Sequence, residues 1–112
     1  MAIAESFTAV VERAQNQLGP FATEPYEGGW AHEALIFLKA LRAPEGSRVT
    51  GRVQISPDGV DWIDEGATFP PLTQVGLSFV RVRHFGNWLR VIGEVDGPDT
   101  GVDLVVYLSL KQ

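Results

Sequence analysis

The chain has 112 residues, 45% of them hydrophobic, and a formal net charge of −5 at pH 7. This length supports one domain, residues 1–112, with a core that needs no staple. The absence of cysteine excludes disulfides and thiolate metal sites, and the acidic balance argues against a dedicated nucleic-acid binder, whose surface is normally electropositive.

Met1 is not followed by a basic region and an apolar stretch, and the longest apolar runs are too short to span a bilayer. The expectation is a soluble protein without a targeting segment, cytoplasmic or virion-associated, with no membrane among its partners. Ser6 to Arg13 fits two patterns: Phe7, Val10, Val11, Ala14 and Leu18 make a helical stripe, while Phe7 to Val11 has the β-branched content of a strand. The β character of the rest of the chain selects the strand. Gln15 to Ala31 is punctuated by Gly19-Pro20, Pro25 and Gly28-Gly29 and reads as a long loop carrying Phe21, Tyr26 and Trp30. Glu33 to Arg42 has helix-favouring residues, yet its apolar side chains fill both parities. That suits a strand covered on both sides.

Arg48 to Glu65 carries the clearest local signal. Val49, Gly51, Val53 and Ile55 alternate with Thr50, Arg52, Gln54 and Ser56, the pattern of a half-buried strand. Pro57-Asp58-Gly59 has turn chemistry, and Val60 to Asp64 resumes as a second strand with Trp62. Gly66 to Gln74 contains Pro70-Pro71 and reads as a connection, with Phe69 and Leu72 plugging the open end of the core. Gly76 to Phe85 is a strand whose faces change character midway, which predicts a bend or bulge. Asn87 to Asp96 follows, then a turn at Asp96 to Gly101, then Val102 to Lys111, which alternates without a break. Six to seven short strands joined by turns predict an all-β antiparallel sandwich with jelly-roll or another Greek-key order.

Ser56-Pro57-Asp58-Gly59 followed by Trp62 resembles the S-x-DG-x-x-W hairpin of bacterial and phage β-sandwich modules. Asn87 to Val91, Gly97 to Thr100 and the final strand resemble the end of the same module. Small structural or accessory proteins of phage and prophage gene clusters resemble the chain, well over Arg48 to Lys111 and poorly over the first third. Discoidin domains (coagulation factor type C) share the hairpin, but this chain lacks their disulfide pair and much of their length. The shared motifs determine turns and core, so the resemblance implies architecture and no ligand-binding residue is transferred.

Candidate chemistry is sparse. Asp58, Asp61, Asp64 and Glu65, and again Asp96, Asp99 and Asp103, supply oxygens of the kind Ca²⁺ takes, but their spacing matches no EF-hand loop. Asp58 is expected to shape its turn, with the others solvated. His32 and His84 are too few for a three-histidine zinc site, and no nucleophile elbow is present. No metal, cofactor or catalytic residue is assigned. Arg52, Arg81, Arg83 and Arg90 fall within strands; were those strands neighbours, one sheet face would be basic and would suit an acidic partner. The competing expectation is cross-strand pairing with Glu94, Asp61 or Asp103. Tyr26, Trp30 and His32 form the best candidate recognition loop, for a glycan or another small ligand, against the plainer role of Trp30 as a cap on the core.

The leading expectation is therefore a non-enzymatic structural or assembly module, a phage-like particle component acting through protein partners as a homo-oligomer. The double-sided apolar run from Leu35 to Leu41, placed at the rim of a small sandwich, motivates the oligomer. A glycan or small-ligand binding module is the alternative.

Overall fold

The computed structural model describes the backbone of residues 6–112 and the side chains from residue 15 onward. The reading of the Met1 start, and the side chains of Phe7, Val10 and Val11, lie outside the described residues. The strands are β1 (Ser6–Gln17), β2 (Gly19–Ala22), β3 (Tyr26–Glu27), β4 (Glu33–Arg42), β5 (Arg48–Ser56), β6 (Ile63–Thr68), β7 (Gly76–Arg83), β8 (Trp88–Asp96) and β9 (Val102–Lys111). All pair antiparallel, in two sheets of order β1-β9-β4-β7 and β2-β8-β5-β6, with β3 also pairing with β8. The protein is an all-β antiparallel sandwich. Every connection except β2–β3 and β5–β6 crosses to the other sheet.

Period-two alternation builds the core. From the first sheet Ala34, Ile36, Leu38 and Ala40 point inward with Val80, Val82, Leu104, Val106, Leu108 and Leu110. Val49, Val53, Leu89, Val91 and Val95 meet them from the second. Full burial of each such side chain contributes roughly 1.5–3 kcal/mol. Phe69 is buried and Leu72 packs against the core, as the plug reading expects. Gly93 faces inward beneath Phe21, its partner across β2, and a Cβ there would strike the Thr50 carbonyl and the Phe21 ring. Glycine is required at that crossing.

Four expectations need correction. Gln15 to Ala31 is not one long loop, because it holds the end of β1 and all of β2 and β3. Pro20 is compatible with β2 because that strand is an edge. The break between β2 and β3 is spanned by Thr23, which donates its N–H to Val91 O at 2.9 Å while its hydroxyl accepts the Val91 N–H at 3.0 Å. The second strand of the hairpin begins at Ile63 and runs to Thr68, so Gly66 to Thr68 belong to β6 and not to a connection. A register shift between Arg52 and Gln54 in the β5–β6 pairing absorbs the extra residues. β7 pairs with β4 in continuous register from Gly76 to Arg83, without the expected bulge. Finally, β4 is not at the rim: β9 and β7 flank it, so its face, not its edge, lacks a cover.

Candidate functional site

The outer face of the first sheet follows from the same alternation. With Ala34, Ile36, Leu38 and Ala40 inward, Leu35, Phe37, Lys39 and Leu41 must point away from the core. Pairing aligns Tyr107, Phe37 and Phe79 in one row across β9, β4 and β7. The rings of Phe37 and Phe79 lie 6.0 Å apart at 33°, a tilted arrangement in the attractive range. The next row holds Val105, Lys39 and Leu77. Phe79 is 51% exposed, Leu77 59% and Leu41 44%. Two ion pairs border this stripe, Arg81 Nε to Glu33 Oε1 at 2.9 Å and Arg42 Nε to Asp103 Oδ2 at 3.2 Å, while the exposed Lys39 within it forms no ion pair among the described residues.

The four arginines do not make one basic face. Arg81 and Arg83 lie on β7 in the first sheet, and Arg52 and Arg90 on β5 and β8 in the second. None of them pairs with Glu94, Asp61 or Asp103 among the described residues. Arg52 and Arg90 instead enter a hydrogen-bond network. Arg90 donates through Nε and Nη2 to Gln54 Oε1 at 2.9 and 2.7 Å. Gln54 Nε2 and Arg52 Nε both donate to Asp64 Oδ1 at 3.0 Å. Trp62 meets the Arg90 end of this network, with the guanidinium 4.3 Å from its ring centroid, within cation–π range. The Gln54 and Arg52 donors hold the Asp64 carboxyl below the usual carboxylate range.

Tyr26 sits on β3 and is partly buried against the core, whereas Trp30 is 40% exposed and His32 is exposed. Trp30 therefore does not cap the core. The His32 and His84 rings approach to 6.2 Å. Backbone bonds hold this corner: His84 N–H donates to His32 O at 3.1 Å, and His32 N–H donates to Lys111 O at 3.0 Å.

The acidic turns are occupied by their own donors. Ser56 Oγ donates to Asp58 Oδ1 at 3.0 Å and accepts the Gly59 N–H at 2.8 Å. Asp58 Oδ1 also accepts the backbone N–H groups of Val60 and Asp61 at 2.9 and 3.0 Å. The Asp61 and Val60 amides, with Ser56, hold the Asp58 carboxyl below its ordinary range. Gly59 has φ +78° and lies against Trp88, so a side chain there would be strained and crowded. At the opposite turn Asp103 Oδ1 accepts from Asn16 Nδ2 at 2.9 Å, and Asn16 and then Arg42 lower its pKa. Among the described residues, no group of three or more His, Cys, Asp or Glu is placed to hold a metal ion. No helix among them is long and apolar enough to cross a membrane.

Sequence reasoning missed a trough on the outer face of the second sheet, about 800 Å³ in volume. Ala22, Ile92, Arg52 and Thr68 form one row across its four strands, and Thr50 and Glu94 flank the row. The signal is dispersed, since these residues come from strands far apart in the chain, and β2 and the Gly66 to Thr68 end of β6 carry the punctuation of loops.

No family model and no curated protein matches the chain. Among solved structures, it is similar to PirA at 12% identity and a TM-score of 0.37, covering 100% of this chain and 95% of that one. It is also similar to dimeric latent PorU from Porphyromonas gingivalis at 10% identity and a TM-score of 0.35, covering 97% of this chain and 10% of PorU.

Proposed function

We propose that this protein is a non-enzymatic structural or assembly module that works by surface association, with a second copy of itself as the partner. The observation that carries the reading is the Tyr107–Phe37–Phe79 row, continued by Leu77 and Leu41. An apolar stripe running over three strands gains by losing its water. The two ion pairs bordering it are closed within the chain, which leaves Lys39 as the one cation inside an otherwise apolar stripe among the described residues. The stripe is its own complement, as a two-fold contact requires. The crossing connections between the sheets read as jelly-roll winding, with β2 and β3 as one interrupted strand. The S-x-DG-x-x-W hairpin at Ser56 to Trp62 supports placing the module in a phage-like particle.

Light scattering at micromolar concentration tests this reading. A mass of at least two chains is expected; a strictly monomeric mass overturns it. The second reading, a glycan or small ligand at Tyr26, Trp30 and His32, draws on the exposure of Trp30.

A further inference from the structure

We propose that the trough on the outer face of the β2-β8-β5-β6 sheet binds a neutral carbohydrate chain. This goes beyond the association reading, since it uses the opposite face of the sandwich and different residues. The trough is concave and lined by both polar and apolar groups. Ile92 and Ala22, paired across β8 and β2, put adjacent aliphatic side chains in the lining. A sugar ring presents a C–H face of matching character, and burial of that face is favourable. Thr50 and Thr68 bring hydroxyls to the same concavity.

The charges in the lining specify neutrality. Arg52 contributes one cation and Glu94 one anion. The two lie diagonally across β5 and β8 and form no ion pair with one another. Arg52 uses Nε on Asp64, which leaves its terminal nitrogens without a partner among the described residues. The Glu94 carboxylate likewise has no side-chain partner among them. An anionic ligand would meet Glu94 and a cationic one Arg52. A hydroxyl both donates and accepts, so a polyol satisfies both at once. The Arg52 side chain is also fixed in advance, because its bond to Asp64 ties it to Gln54, Arg90 and the Trp62 ring. Pre-set groups lose less freedom when a ligand arrives. The Arg90–Gln54–Asp64 row lies next along the strands, so a chain longer than one sugar would run from the trough toward Trp62.

The test uses the full chain and an array of neutral oligosaccharides, with cellohexaose, xylohexaose, mannohexaose, maltohexaose and chitohexaose titrated individually. The expected result is saturable binding of at least one of them, little changed by salt. Arg52→Ala and Glu94→Gln should each weaken it about tenfold, the scale of one charge-assisted hydrogen bond. Thr68→Trp, which fills the trough from an exposed position, should abolish it, with thermal unfolding confirming that each variant is folded. No binding on the array overturns the proposal. So does binding only to acidic polysaccharides, to a protein partner through these residues, or binding lost in Trp30→Ala but retained in the three trough variants.

Discussion

Asp58 shows how much a single carboxylate organises. Its Oδ1 atom collects the Ser56 hydroxyl and two backbone N–H groups, which makes the Pro57–Gly59 turn a closed unit. The pH consequence has a definite sign. Because these donors lower the folded pKa, the native state holds this proton less readily than the unfolded chain, whose ordinary value is 3.8. The stabilisation is present above that value and is lost as pH falls through it toward the folded pKa. Asp58→Asn keeps an acceptor oxygen and removes the charge, so it should flatten the loss of stability below pH 4 measured by denaturant titration, a range set by ordinary Asp values of roughly 3.9. Asp58→Ala should lower stability at neutral pH as well. An Asn variant with the wild-type acid profile would contradict this role. The turn was legible in sequence because Asp and Gly at adjacent positions have few other conformational uses. Ser47 was not legible: its hydroxyl is buried with no hydrogen-bond partner. Ser47→Ala removes an unsatisfied group and should leave stability unchanged or raise it by up to about 1 kcal/mol in urea unfolding. A loss of more than about 1.5 kcal/mol would mean the hydroxyl has a partner after all.

At the scale of elements, strands with strict alternation and central positions were readable, β9 and β5 above all. Their burial follows the alternation of their sequences except at Val105, which is buried on the opposite face of β9, and at the Ile55-Ser56 end of β5. The short edge strands β2 and β3 were not, because Gly-Pro, Pro25 and Gly-Gly look like loop punctuation, and an edge strand needs half as many ladder bonds. β4 was recognised as a strand apolar on both faces, but the meaning of that pattern depended on its neighbours. One face fills the core and the other is the centre of the exposed stripe. The two faces should respond differently to substitution. Leu38→Ala leaves a cavity in a fully buried site and should cost about 2–5 kcal/mol. Phe79→Ser, on the exposed face, should change the stability of the single chain by less than about 1 kcal/mol. Comparable losses for the two in dilute urea unfolding would refute the assignment of faces.

For the whole molecule, the connectivity decides what the sequence could not. Because the chain crosses between sheets at nearly every connection, residues on consecutive strands end up on opposite sides of the sandwich. This is why the four strand arginines separate into two pairs, and why the trough assembles from β2, β5, β6 and β8. Pairing between distant strands cannot be inferred from periodicity, which reports only in and out. The molecule that results has an apolar outer face and a mixed polar one. The proposed association uses the first. Sedimentation equilibrium over the micromolar range, comparing wild type, Leu77→Ser/Phe79→Ser and Thr68→Trp, reads that assignment most directly. The expected result is a multimer for wild type and for Thr68→Trp on the opposite face, and for the double variant a monomer that still unfolds in one cooperative transition. A monomeric wild type, or a double variant of undiminished mass, would contradict it.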